Sequence, residues 1–206
     1  FDSNEVTIND NFDLKFDVWD DKHEYEYDEH RIRRIGWEWD MMIAHPPCTY
    51  LSVSGARWMY HPDDSHLPFE ERRRHPKHPN RKEQQKEALD FVQALMDAPI
   101  PRIAIENPVS VISSKIRKSD QTIQPYHFGD EATKTTCLWL KNLPKLVPTK
   151  IVGKGEFVDF KSGKKMSKWY YELSRLPHKE RSIARSKTFP GIAKAIAEQW
   201  GGLNEQ

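Results

Sequence analysis

Apolar positions in this chain come in short runs separated by long polar stretches. Met41 to Ala44 is one such run, closed by His45-Pro46-Pro47. A run of that length stopped by prolines predicts a buried parallel strand. Each proline lacks a backbone donor and biases the residue before it away from helix. Ala88, Phe91, Val92, Leu95 and Met96 recur at three- and four-residue steps. That spacing predicts an amphipathic helix over 81–97, with Lys82, Glu83, Lys86 and Glu87 on its outer face. Ala98-Pro99-Ile100-Pro101 ends it. Arg102-Ile103-Ala104-Ile105 is a second short buried strand, running into Glu106-Asn107-Pro108. Strand, loop, helix and strand in that order make a βαβ unit, whose right-handed crossover puts both strand ends on one sheet edge. Cys48 and Glu106, far apart in sequence, are then expected as neighbours at the carboxyl edge, where ligands bind in open α/β sheets. A thiol there, followed by small hydroxyl residues and Gly55, is a candidate nucleophile on a loop.

The remaining pattern is weaker. Segments 5–10 and 14–18 read as short strands ending in carboxylates, Asp10 and Asp17. Such a side chain either hydrogen-bonds a ribose hydroxyl or an adenine amino group, or sits in an acidic surface loop. Segment 20–34 is dense in charge, a partly exposed helix or an insertion. Ala56-Arg57-Trp58-Met59-Tyr60 is aromatic and basic, suited to stacking on a base or packing a lid. The proline-broken stretch 61–80 holds His61, His66, His75 and His78 without tight zinc spacing and without a cysteine among them. It reads as a mobile basic loop with Arg72-Arg73-Arg74 near nucleic-acid phosphates, or as a solvated loop. Segment 109–115 is a short helix. Segments 121–128 and 137–140 are strands, with Phe128-Gly129-Asp130-Glu131 turning between them, and Cys137 is a core thiol. Over 150–187, lysines surround Trp169-Tyr170-Tyr171, and Ser162-Gly163 marks a hairpin tip. The stretch contacts phosphates and stacks bases, or is a hairpin whose aromatics pack on the core. A final helix spans 192–200, introduced by Phe189-Pro190-Gly191 and ended by Gly201-Gly202.

Composition bounds these readings. The length of 206 residues suits one domain with a sizeable core. Hydrophobic residues make up 37% and charged residues 31%, so much of the chain is solvated. No apolar run is long enough to span a bilayer and no signal-peptide pattern is present, which predicts a soluble, intracellular protein. Two cysteines make no disulfide framework and read as reduced thiols. The net charge of +1 hides an asymmetry: residues 1–40 carry 13 acidic and 5 basic side chains, the remainder 18 and 27. The larger part is suited to face a polyanion.

Pro46-Pro47-Cys48-Thr49-Tyr50-Leu51-Ser52-Val53-Ser54-Gly55 resembles the catalytic-loop motif of DNA cytosine-5 methyltransferases, Pro-Cys-Gln followed by an aromatic, a serine and a Ser-Gly. Glu106-Asn107-Pro108 is similar to their Glu-Asn-Val at a strand end, and the intervening helix keeps the family's order. Segments 128–140 and 186–200 look like parts of short phage-encoded methyltransferase-like proteins of this group. The resemblance runs from Trp39 to Trp200.

The resemblance implies an α/β, Rossmann-like S-adenosylmethionine-dependent methyltransferase fold, with a mostly parallel sheet and helices on both faces. It implies one domain over 1–206, with a hairpin insertion near 150–187 and a mobile loop near 56–80. It makes Cys48 the nucleophile at C6 of a flipped cytosine in DNA, Glu106 the partner of N3, and Asn107 an orienting group for the loop. Asp10, Asp17, Pro46 and Pro47 would border the cofactor, S-adenosyl-L-methionine. Ser52, Ser54, Arg57, Trp58, Lys134, Lys164, Lys165 and Trp169 would face DNA. The setting implied is the cytoplasm of a bacterial host, with methylation protecting phage or prophage DNA from restriction.

Several features depart from the family. The glycine-rich cofactor loop that follows its first strand is not found, and with Phe1 in place of a methionine the chain is expected to be a fragment or processed form. The Gln-any-Arg-any-Arg motif is not evident, and Lys134 is the nearest basic candidate. There is no large target-recognition domain, and Thr49 replaces glutamine. Two other readings stand beside this one: a related modifier of another pyrimidine acceptor, and an inactive methyltransferase fold that binds nucleic acid or protein.

Overall fold

Apolar runs this short need cover on both faces, and the fold supplies it. The computed structural model describes residues 39–203. Asp10, Asp17 and the elements expected over 1–34 lie outside the described residues. Strand β1 (Met41–Ala44) pairs in parallel with β2 (Arg102–Asn107), and helix α1 (Arg81–Met96) connects them. Beyond β2 follow a one-turn helix α2 (Ile112–Lys115), β3 (Gln121–Ile123) and β4 (Thr136–Lys141). The sheet order is β1-β2-β4-β3.

The period-two alternation of β2 and β4 divides the core. Ile103, Ile105, Cys137 and Trp139 join Ala88, Val92 and Leu95 of α1 on one face. Ala104 and Leu138 join Ile192, Ala195 and Trp200 of the last helix, α5 (Pro190–Trp200), on the other. Helices therefore cover both faces, and Cys137 is a core thiol as expected. The buried indole of Trp139 donates to the Arg117 carbonyl, and that of Trp200 to the Pro144 carbonyl. Each aliphatic side chain buried here contributes about 1.5–3 kcal/mol.

The expectation of a mostly parallel sheet is corrected among the described residues. Only β1–β2 is a parallel pairing; β2–β4 and β3–β4 are antiparallel. Strand β4 is inserted between two strands that share the direction of β1. Its run Thr136 to Trp139 is buried throughout, and a strand buried on both faces carries no alternation that betrays its direction. The strand expected over 121–128 stops at Ile123, because Pro125 opens a 3₁₀ turn over Pro125–His127. The expected turn from Phe128 to Glu131 lies between β3 and β4 and also meets α5: Asp130 accepts from the Gly191 amide, and a Cβ at Gly191 would strike the Phe128 carbonyl.

Residues 150–187 form the expected hairpin, β5 (Phe157–Asp159) and β6 (Lys165–Ser167), with Gly163 at positive φ in its turn. Helices α3 (Lys168–Ser174) and α4 (His178–Ser186) follow. No helix among the described residues is long and apolar enough to cross a membrane.

Candidate active site at the carboxyl edge of the sheet

The parallel register pairs Ala44 with Ile105. One step further, His45 stands level with Glu106 and Pro46 with Asn107, and side-chain contacts follow that alignment. The Asn107 amide nitrogen donates to the Pro46 carbonyl at 2.8 Å. His45 Nδ1 lies 3.5 Å from Glu106 Oε2. Asn107 is buried, and the Glu106 side chain is only 12% exposed. Neither Glu106 Oε2 nor Asn107 Oδ1 has a hydrogen-bond partner among the described residues. A buried oxygen left this way costs about 1–3 kcal/mol, so the carboxyl group keeps one oxygen open to a hydrogen bond with a ligand.

The prolines that end β1 throw Cys48 onto the surface. Its thiol is exposed, while its carbonyl accepts from the Leu51 and Ser52 amides and closes a tight turn. Leu51 is fully buried and anchors that turn. Leu51 also accepts from the Val111 amide, Val53 donates to Val109, and Ser52 bridges Ser110, so the loop after β1 is stitched to the loop after β2. From α1, Arg81 donates to the Thr49 carbonyl at 2.7 Å and Gln85 to the Tyr50 carbonyl at 3.0 Å. The Cys48 loop is thus held from two sides.

Lys134 completes the arrangement. Burial draws its ammonium below the ordinary lysine value, while the nearby Glu106 carboxylate and Cys48 thiol pull it back up and the Arg185 guanidinium lowers it again. Cys48, Glu106 and Lys134 therefore share one locality. Chemically it offers an exposed thiol and a buried carboxyl with a vacant hydrogen-bonding oxygen, both within the field of one ammonium.

Other expected site residues are distributed differently. Ser52 caps the 3₁₀ turn Val53–Trp58, and its hydroxyl meets that of Ser54 at 2.9 Å. Arg57 is exposed over the Trp58 ring, while Trp58 packs edge-on against His75 and His78. Lys164 and Lys165 sit on the exposed hairpin, where Lys165 is 3.4 Å from Asp159. Trp169 packs on Phe189 and lines a cleft of about 290 Å³ with Glu131, Lys154, Glu156 and Lys168, none of them from the Cys48 loop.

Over 61–80 the arginine run makes its contacts within the chain. Arg73 closes on the buried Asp64 at 2.6 Å, and its guanidinium and amide hold that carboxyl well below the usual carboxylate range. Arg74 forks onto Glu83, and Arg72 donates to the Leu67 and Ser65 carbonyls. With Tyr60 bridged to Arg74, the stretch is a braced lobe.

Sequence reasoning missed His45, the Arg81–Gln85 clamp, and the contacts of Lys134 with the carbonyls of Arg185 and Lys187. The first was readable by extending the parallel register one residue. The last had no local signal. No protein-family model matches the chain, and no curated protein matches it significantly.

Proposed function

We propose that the chain methylates C5 of cytosine in DNA through a covalent adduct on Cys48. The observation that carries this reading is an exposed thiol and a buried carboxyl with an oxygen free of hydrogen bonds on loops stitched together at one sheet edge, with a lysine close enough for its charge to be felt by both. A Rossmann-like methyltransferase fold and an open sheet edge on a flipped base belong to the same reading.

Cys48 Sγ adds as the thiolate to C6 of the ring, and the C5–C6 π pair shifts onto C5. Glu106 binds at N3 and stabilises the charge that develops on the ring. Asn107 fixes the Pro46 carbonyl and with it the approach of the thiol. Once C5 carries the new carbon, its proton leaves to solvent base, the C6–S bond breaks, and the thiolate returns. S-adenosylmethionine, when bound, supplies the electrophilic methyl group. The residues fit its neighbourhood in one respect: Asn107 Oδ1 is buried without a partner beside Pro46, and the cofactor carries N–H and O–H donors that such an acceptor takes. Pro46, Pro47 and Asn107 would border it, with Asp10 and Asp17 as the expected ribose and adenine readers.

The test is transfer of labelled methyl to unmethylated DNA by the wild type and by Cys48→Ala, with the product base identified. Label in 5-methylcytosine that depends on Cys48 is the expected result. Cys48-dependent label in another pyrimidine would favour the related-modifier reading. DNA binding with no transfer and no cofactor uptake would move the protein to the class of binding modules.

A further inference from the structure

The C-terminal helices bring a different chemistry to the rim of the Cys48 site. Lys134 Nζ donates to the Arg185 carbonyl at 2.9 Å and to the Lys187 carbonyl at 3.2 Å. The end of α4 is therefore fixed beside an ammonium whose charge is felt by both Glu106 and Cys48. A helix C-terminus presents roughly half a negative charge, and Lys134 more than offsets it. Arg185 and Lys187 themselves remain exposed, and among the described residues neither makes an ion pair. In the 56–80 lobe, by contrast, Arg73 and Arg74 are both used up on carboxylates.

Aromatic rings stand with these cations. The Arg185 guanidinium lies 4.7 Å from the Tyr170 ring centre, the ring of the preceding residue Trp169 is 5.2 Å from that of Phe189, and Lys134 Nζ is 5.9 Å from the same Phe189 ring. A guanidinium cushioned on a ring keeps its hydrogen-bonding edge available and loses less freedom on binding a phosphate. An unpaired guanidinium on an aromatic face, with a second unpaired cation two residues on, suits a sugar-phosphate strand whose bases are unstacked.

We propose that Arg185, cushioned on Tyr170, and Lys187, with the Trp169–Phe189 ring pair held nearby through Lys134, seat the phosphates of the single nucleic-acid strand that flanks the base presented to Cys48. The base-presenting half of this statement rests on the function proposed above; the strand seat does not require methyl transfer and is tested without it.

The experiment is a salt titration of binding by the full chain to a fluorescent single-stranded DNA oligonucleotide, with no methyl donor, comparing wild type, Arg185→Gln and the double variant Arg185→Gln/Lys187→Gln. Each lost phosphate contact should flatten the slope of log K against log salt by about 0.7, so the double variant should lose about 1.4. Both side chains are exposed, so an unchanged thermal melt is the control for folding. Wild type that does not bind the strand, or a double variant with the wild-type slope, overturns the proposal. Binding that behaves as expected in a protein that transfers no methyl group would leave the strand seat standing and remove the chemistry. Methyl transfer by a protein with an unchanged slope would do the reverse.

Discussion

The sheet edge around Cys48 and the lobe over 56–80 are built from the same kinds of residue, and they spend them in opposite ways. In the lobe all three consecutive arginines close on groups within the chain, and Asp64 is buried against Arg73. At the sheet edge Glu106 keeps a buried oxygen without a hydrogen bond, Cys48 is exposed, and the nearby Lys134 spends its hydrogen bonds on backbone carbonyls rather than on a carboxylate. Charge paired internally braces a structure; a polar group left open is available to a ligand. A run of arginines can brace a lobe with no phosphate present, whereas a buried carboxyl oxygen without a hydrogen bond is open to a ligand.

The comparison predicts a graded set of effects. The largest is expected for Cys48→Ala, which should reduce methyl transfer by about a thousandfold or more while leaving the melting temperature unchanged, because the thiol supports no core contact. Glu106→Gln should lower the rate by about 10²–10³-fold with DNA binding retained; unchanged kinetics would take the carboxyl out of the mechanism. Asn107→Ala breaks the bond to Pro46 and empties a buried site, so it should cost about 1–3 kcal/mol of stability in a denaturant titration and slow turnover as well. Asp64→Asn should lower the melting temperature but change turnover far less than Glu106→Gln. If it abolished turnover with folding intact, the division between bracing lobe and reacting edge would be wrong.

The smallest effect is one of pH. Burial, helped by the neighbouring charges of His78, His61, Lys77 and Arg81, holds His75 below its ordinary value of 6.5. The unfolded chain then binds the proton first, so the stability contributed by neutral His75 is present above that value and falls away as pH drops below it. Trp58 emission, reporting its edge contact with His75, should shift as pH falls below about 6.5. His75→Phe should remove that shift.

What was legible in the sequence follows from how local each cause is. The β1–α1–β2 unit could be read because apolar runs and proline stops are written within a few residues, and Ser162-Gly163 gave the hairpin for the same reason. The juxtaposition of Cys48 and Glu106 loops followed from topology alone. The direction of β4 could not be read, since strand order is settled by packing between distant segments. The role of Lys134 depends on carbonyls more than fifty residues away. The fate of Arg73 depends on Asp64, nine residues back, and a charge count does not contain that pairing.

The central claim is that Cys48 and Glu106 act on one base. Its most direct test is incubation of the protein with S-adenosylmethionine and DNA in which the target cytosine carries fluorine at C5, followed by intact-mass and peptide analysis. Fluorine cannot leave as the proton does, so the adduct persists. The account predicts a protein–DNA adduct of one-to-one mass mapped to Cys48, formed much more slowly by Glu106→Gln. No adduct, or an adduct on another residue, would contradict it.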